Sequence, residues 1–237
     1  MPIHLRADPG DYADACLLPG DPDRATYLAE RYLDDASQVS GARGLLGYTG
    51  TYRGQRVSIQ ATGMGCPSAA IVAEELVMLG VTRLLRIGTC GGLQPDLALG
   101  DLVLGLSAAP IDGTARRLVG DEPYAPTADW ALARAVEDAA GRVGAPLRVG
   151  PIASADVFYD RDADAQPRWA SRGIVAVEME AAVIFTIAAL RGVQAGCLLV
   201  VSDLLAGAAR ERIGDDALRA AVDRMATVAL EAVAGGR

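Results

Sequence analysis

The chain has no lysine: each of its 22 Lys+Arg positions is arginine. That excludes a P-loop lysine, a pyridoxal Schiff base and any lysine nucleophile. Histidine is almost as scarce. With His4 as the single example, a multi-histidine metal site is impossible, and a Ser-His-Asp triad would have to use that residue. The four cysteines, at 16, 66, 90 and 197, lack CxxC spacing and sit in apolar or glycine-rich contexts. They read as buried free thiols rather than disulfides or metal ligands. Glycine or charge breaks the longest apolar runs well short of a membrane span. The N-terminus, Met-Pro-Ile-His-Leu-Arg-Ala-Asp, has no signal-peptide core. The expectation is a cytoplasmic protein with no membrane partner. A net charge of −8 argues against nucleic acid. What remains is chemistry done by arginine, carboxylates and hydroxyls.

At 237 residues the length suits one α/β domain over 1–237. Apolar runs at 15–18, 83–87, 101–106, 149–153, 174–177 and 197–201 read as strands. The alternating segments 48–52 and 57–62, joined by Arg53-Gly54-Gln55, read as a hairpin. Helices are expected at about 23–33, 69–79, 128–143 and 215–233, with Ser68 a candidate cap for the second. Strands alternating with helices predict an α/β fold with a mixed, largely parallel central sheet flanked by helices.

Residues 173–190 carry the strongest signal. Glu178 and Glu180 stand between a buried strand, 174–177, and an apolar helix, 181–190. If the strand runs on through Glu180, the two carboxylates share a face. Acids at the carboxyl end of a parallel strand lie where open α/β sheets bind ligands, and a carboxylate accepting from two adjacent hydroxyls recognises a sugar diol. A helix N-terminus that favours acids explains Glu180 alone, and Glu178 poorly.

Other strand ends share a pattern: an apolar run, then a glycine turn with polar or cationic residues. Leu17-Leu18-Pro19-Gly20-Asp21-Pro22-Asp23-Arg24 sets Arg24 one helical turn beyond Gly20. In Leu84-Leu85-Arg86-Ile87-Gly88-Thr89-Cys90-Gly91-Gly92, Arg86 interrupts an apolar strand. A buried guanidinium needs an anion, and its fork suits phosphate bidentately; a structural ion pair explains it equally well. Asp203, after five apolar residues and Ser202, is a candidate buried acid with a raised pKa, fit to donate a proton. A turn residue is the simpler reading of it. Phe158 or Tyr159 offers a ring to stack on a base, or to fill a core.

Taken together these motifs resemble the nucleoside phosphorylase family, closest to its bacterial hexameric purine enzymes. The resemblance rests on Pro2-Ile3-His4, Leu18-Pro19-Gly20-Asp21-Pro22 with Arg24, the stretch Arg43–Tyr52, Gly63-Met64-Gly65-Cys66-Pro67-Ser68, Arg86-Ile87-Gly88-Thr89-Cys90-Gly91, Ser154–Tyr159, Val177-Glu178-Met179-Glu180-Ala181-Ala182 and Ser202-Asp203. It runs from His4 to about residue 233. It implies phosphate-dependent, reversible cleavage of the N-glycosidic bond of purine (deoxy)ribonucleosides, with inorganic phosphate as co-substrate and no cofactor or metal. Gly20, Arg24, Arg86 and Thr89 would bind phosphate, joined by Arg43 of a neighbouring subunit. His4 of the neighbour would hold the ribose 5′-hydroxyl, Glu180 the 2′- and 3′-hydroxyls, and Met64 and Met179 would pack on the sugar. Cys90, Gly91, Phe158, Val177, Glu178 and Ser202 would lie around the nucleoside, and Asp203 would protonate purine N7. A homo-oligomer is implied, a hexamer built as a trimer of dimers.

One departure stands out. The family places an arginine in the helix after Ser-Asp, against the catalytic acid. Aligned from the C-terminal helix, that position falls on or beside Leu218-Arg219, so Arg210, Arg212 and Arg219 all compete for it. Thr89 also stands where a serine is usual. Within the superfamily, Gln166 and Arg168 superficially match a uracil-reading pair, but a surface helix explains them better. The rivals are uridine phosphorylase, 5′-methylthioadenosine phosphorylase, a nucleosidase and a non-catalytic nucleoside-binding module.

Overall fold

A computed structural model describes residues 2–206 and 210–235. The expected strands form, most of them longer than their apolar runs, and two that the sequence did not announce, β2 and β10, join them: β1 Ala15–Leu18, β2 Asp34–Ser40, β3 Gly47–Tyr52, β4 Gln55–Gln60, β5 Arg83–Gly92, β6 Leu102–Pro110, β7 Leu147–Ser154, β8 Ala176–Glu178, β9 Gln194–Leu204 and β10 Glu211–Arg212. The principal helices are α1 Pro22–Tyr32, α2 Cys66–Met78, α3 Gly113–Leu118, α4 Trp130–Val143, α5 Ala165–Ala170, α6 Ala181–Arg191 and α7 Asp215–Ala234. The fold is α/β with a mixed central sheet, as the alternation of patterns predicts.

All ten strands join one sheet. β1 lies between β4 and β5, parallel to both. β5 is parallel to β9, β9 antiparallel to β6, β6 parallel to β7, β7 parallel to β8, and β8 antiparallel to β5. Those five strands close into a ring, and β1, β4, β3 and β2 extend from it as an open sheet. The hairpin turn uses Arg53 at φ +50° and Gly54 at φ +75°, two successive left-handed residues that match the twist of the strands.

Helices cover both faces. Leu76, Val72, Ile184 and Phe185 of α2 and α6 pack on one side. Leu28, Val136, Met225 and Leu230 of α1, α4 and α7 pack on the other. Residues 181–188 of α6 are all buried, as an all-round apolar helix must be. Gly192 ends that helix at φ +67°, a left-handed cap open to glycine at no steric cost.

Three local expectations change. β8 ends at Glu178, and Glu180 takes φ −138°, ψ −22° as the residue preceding α6, so no strand carries both acids. Gly65, not Ser68, precedes α2; the Ser68 hydroxyl donates to Thr62 O instead. The polar edge strand β2 has no apolar alternation and forms against the exposed edge of β3, with two irregularities in register. Among the described residues no helix is long and apolar enough to cross a membrane.

Candidate active site

The carboxyl ends of β1, β5 and β9, with β8, open onto a cavity of about 610 Å3, the position at which open α/β sheets take ligands and a volume that suits a small organic molecule. Gly20, Arg24, Met64, Arg86, Thr89, Cys90, Gly91, Phe158, Val177, Glu178, Met179, Glu180, Ser202 and Asp203 all line it. Fourteen positions chosen from sequence motifs far apart in the chain therefore meet around one space.

Arg86 is the cationic floor. Leu18 of β1 is its register partner, and only 4% of its surface is exposed. Nε donates to Glu178 Oε2 at 3.2 Å, and Nη2 pairs with Glu180 Oε2. Nη1 is buried with no partner among the described residues. The structural ion-pair reading of Arg86 therefore holds. The fork is committed to structural ion pairs and does not stand open for a bidentate grip, while one donor edge is left for an incoming anion. Burial alone would lower its pKa, but Glu180 and Glu178 more than offset this and the net direction is upward. Gly88 makes the geometry possible: a Cβ there would lie 2.7–2.9 Å from the guanidinium.

A second guanidinium, Arg24, faces the same cavity from α1. Burial lowers its pKa, and Arg86 lowers it further against the opposing pull of Asp21. Two neighbouring cations in a concave, half-dry setting favour an anion between them. Gly20 borders this space, where a Cβ would stand 3.2 Å from Gly63 O and 3.5 Å from Arg86 Nη1. The half-buried Thr89 adds a hydroxyl from β5.

The helix-terminus reading, which from sequence explained Glu180 better than Glu178, falls to Glu178. Glu178 is the acid that satisfies the helix terminus. Its carboxylate accepts from the backbone N–H groups of Glu180 at 2.8 Å and Ala181 at 3.0 Å, and from the Ser154 hydroxyl. With Arg86 added, both oxygens are saturated. Glu180 accepts from Gly65 N at 2.6 Å and pairs with Arg86. Burial raises its pKa, with Glu178 adding to the rise against Arg86. Of the pair, Glu180 is the one with acceptor capacity to spare.

Asp203, which lines the same cavity, is 7% exposed. Oδ2 accepts from the Ser202 hydroxyl at 2.8 Å, and Oδ1 from Arg210 Nε at 2.9 Å. The Arg210 guanidinium also lies 4.8 Å from the centroid of the Phe158 ring, within cation–π range. Phe158 in turn meets Tyr159 edge to face at 5.0 Å. Arg210 thus joins the buried acid to the aromatic wall. Arg212 also lines the cavity, whereas Arg219 sits over the Tyr27 ring at 5.8 Å, outside it. Alignment from the C-terminal helix therefore points to the wrong arginine. Residues 207–209, next to Arg210, lie outside the described residues.

His4 and Arg43 do not line this cavity. His4 Nδ1 contacts Glu75 Oε1 at 2.7 Å, and the same carboxylate accepts from the backbone N–H groups of Ile3, His4 and Leu5. Arg43 is exposed on a short turn, Ala42–Gly44, at φ +59°. Gln166, assigned from sequence to a surface helix, reaches the cavity, as do Trp169 and Asp160. Arg168 turns away to Asp162 at 2.6 Å. The alternation of buried Ala165 and Trp169 in the six-residue α5 is too short a pattern to show which face Gln166 takes.

Known proteins match this chain over most of its length. The model of the phosphorylase superfamily matches residues 14–234. A DeoD-type purine nucleoside phosphorylase of Caldanaerobacter subterraneus subsp. tengcongensis is 46% identical over 86% of this chain and 89% of its own. Proteins of the same description from Geobacillus kaustophilus and a Jannaschia species are 42% and 41% identical. Each alignment covers 98% of this chain, and 98% and 99% of theirs.

Proposed function

The chain belongs to the phosphorylase superfamily, and from that premise we propose that it cleaves purine nucleosides with inorganic phosphate, giving free base and pentose 1-phosphate. The observation that carries this reading is the set of groups that one cavity gathers: the guanidinium groups of Arg24 and Arg86, Glu180 paired with Arg86, and a buried acid, Asp203, braced by Arg210.

The chemistry follows from that set of groups. Phosphate enters against Arg24, Thr89, Gly20 and the unpartnered Nη1 of Arg86. The sugar lies over Met64 and Met179 with its diol at Glu180. The base lies among Phe158, Val177, Cys90, Gly91, Ser202 and Glu178. As the C1′–N9 bond breaks, positive charge grows on the sugar beside the phosphate, and negative charge grows on the base. Asp203 passes a proton to N7, and a phosphate oxygen bonds to C1′. Arg210 stabilises the carboxylate left on Asp203 after the proton moves. No cofactor takes part in these steps.

We further infer a cytoplasmic homo-oligomer, a hexamer built as a trimer of dimers, in which His4 and Arg43 of one subunit complete the cavity of the next. Their distance from the cavity of their own chain supports this, as do the exposed apolar Ile3, Ile71 and Met78. The activity test is release of free base from inosine and adenosine, with and without phosphate. Release without phosphate would mark a nucleosidase. Release only from uridine would mark a pyrimidine enzyme, and binding without release a carrier module. For shared sites, Arg43→Ala and Asp203→Ala proteins, each inactive alone, should regain activity when refolded together. No regain refutes sharing.

A further inference from the structure

Behind the N-terminus of α6, three elements gather donor atoms that the proposed reaction leaves unused. Cys66 opens α2, Asp112 precedes α3, and Asp156 follows β7. Cys66 Sγ and one carboxylate oxygen from each aspartate all lie within 4.8 Å of one another, and none of the three residues lines the cavity described above. Cys66 and Asp112 are fully buried; Asp156 is exposed.

Asp112 supplies the independent observation. Its Oδ1 accepts from Ala115 N at 2.6 Å. Its Oδ2 is buried and has no partner within hydrogen-bond distance and geometry among the described residues; the Cys66 thiol and the Thr114 N–H act on the carboxylate from outside that range. A buried carboxylate oxygen without a donor is unfavourable by about 1–3 kcal/mol or more. Among the described residues no guanidinium or imidazole forms an ion pair with Asp112 or Asp156. Burial, then Asp112 and Glu178, push the Cys66 thiol up, and burial pushes Asp112 up. Both directions describe a buried cluster short of positive charge.

We propose that Cys66, Asp112 and Asp156 bind a divalent cation of the zinc class, with water completing the coordination shell. One thiolate and two carboxylates form a borderline-soft set that suits Zn2+ and discriminates against Mg2+ and Ca2+, which take oxygen alone. Bond lengths of about 2.3 Å to sulfur and 2.0 Å to oxygen set tetrahedral donor atoms roughly 3.5 Å apart. The cluster must therefore contract by about 1 Å. The exposed Asp156 has the freedom to supply this movement, since its carboxylate is held by one contact, from Gly113 N at 2.9 Å. The Cys66 thiol releases its proton to solvent as the metal binds. The consequence is mechanical. The loop after β7 carries Val157 and Phe158 into the active cavity, and a metal on Asp156 ties that loop to α2 and α3.

Titration of the full chain with Co2+ reads the site without reference to turnover, so failure here and failure of the proposed reaction are distinguishable. The expected result is one Co2+ per chain, a thiolate-to-cobalt absorption band in the near ultraviolet, and loss of that band on adding Zn2+. Cys66→Ser should abolish the band. Asp112→Asn should weaken binding by about tenfold or more. Asp156→Asn, a surface change, should weaken it in the same way and serves if the Asp112 variant does not fold. Absence of a thiolate band overturns the proposal. So does a band that persists in Cys66→Ser, or affinity unchanged in every foldable aspartate variant.

Discussion

Arg210→Ala gives the sharpest test of the buried acid, Asp203. The Nε–Oδ1 contact to Asp203 is 2.9 Å long, with the Asp203 side chain 10% exposed and that of Arg210 42% exposed. A hydrogen bond to a charged group contributes about 1.5–3 kcal/mol net. Exposure of the guanidinium argues for the lower end, about 1.5 kcal/mol, and each 1.36 kcal/mol is about tenfold in rate. If that interaction strengthens as the Asp203 proton leaves, kcat on inosine falls about tenfold while KM for phosphate stays put. Loss of the acid itself is more severe: Asp203→Ala should lower kcat by about 10²–10⁴.

The decisive comparison uses a nucleoside already alkylated at N7. Such a base departs without receiving a proton, so neither Asp203 nor Arg210 should matter to its cleavage. The assay is steady-state phosphorolysis of inosine and 7-methylinosine by wild type, Arg210→Ala and Asp203→Ala. The expected pattern is a large loss on inosine in both variants and near-normal turnover of the methylated substrate. Equal losses on both substrates would show that Arg210 shapes the pocket through the Phe158 contact alone. No loss on inosine would remove it from the mechanism.

The two glutamates should separate by assay. Glu178→Gln replaces a carboxylate oxygen that backbone N–H groups need with an amide donor, and breaking such a buried network costs about 3 kcal/mol or more; a large fall in melting temperature is the expected readout. Glu180→Gln should show mainly as a raised KM for ribonucleosides, less for sugars lacking the 2′-hydroxyl; equal effects on both sugars would refute diol recognition. Glu75 carries a pH signature. Burial would raise its carboxyl, but the backbone N–H groups of Leu5, Ile3 and His4 and the His4 ring hold it at about 2. A depressed carboxyl gives stability that is present above its ordinary value of 4.5 and is lost as pH falls from there toward 2. Wild type should therefore exceed Glu75→Gln in denaturant resistance at pH 7, and the two should converge across that window; a gap that does not change with pH would refute the account.

The strands that build the cavity were legible because each is an apolar run closed by glycine, proline or a polar residue, and buried parallel strands need little else. The ring was not. Its closure depends on β9 pairing with β5 on one side and β6 on the other, and no local pattern states which strand returns to which edge. β2 was hidden for a simpler reason: its surface is mostly exposed and polar, so its backbone, not its side chains, makes it a strand. The candidate residues inside strongly apolar segments stood out, because a charge in such a segment has few explanations, and they line one cavity. Gln166 and Arg210, on a short helix and a loop, were respectively placed on a surface helix without its cavity-facing side and left among three arginines, since short segments and loops carry no period from which a direction can be read.

Glu178 and Glu180 show where that kind of reading stops. Both are buried acids, two residues apart, at the same junction and on the same guanidinium. Residue type and spacing cannot separate them. What does is the backbone between them. β8 ends at Glu178, so the chain turns and aims the first N–H groups of α6 at that carboxylate. Glu180, at the turn itself, meets Gly65 N across the cavity edge. A carboxylate whose oxygens are filled by helix donors anchors the site, and one with a free lone pair is available to a ligand. The division of labour thus comes from where three peptide N–H groups point. It also explains why Arg86 tolerates burial: the helix terminus holds the Glu178 counter-ion in place before any anion arrives.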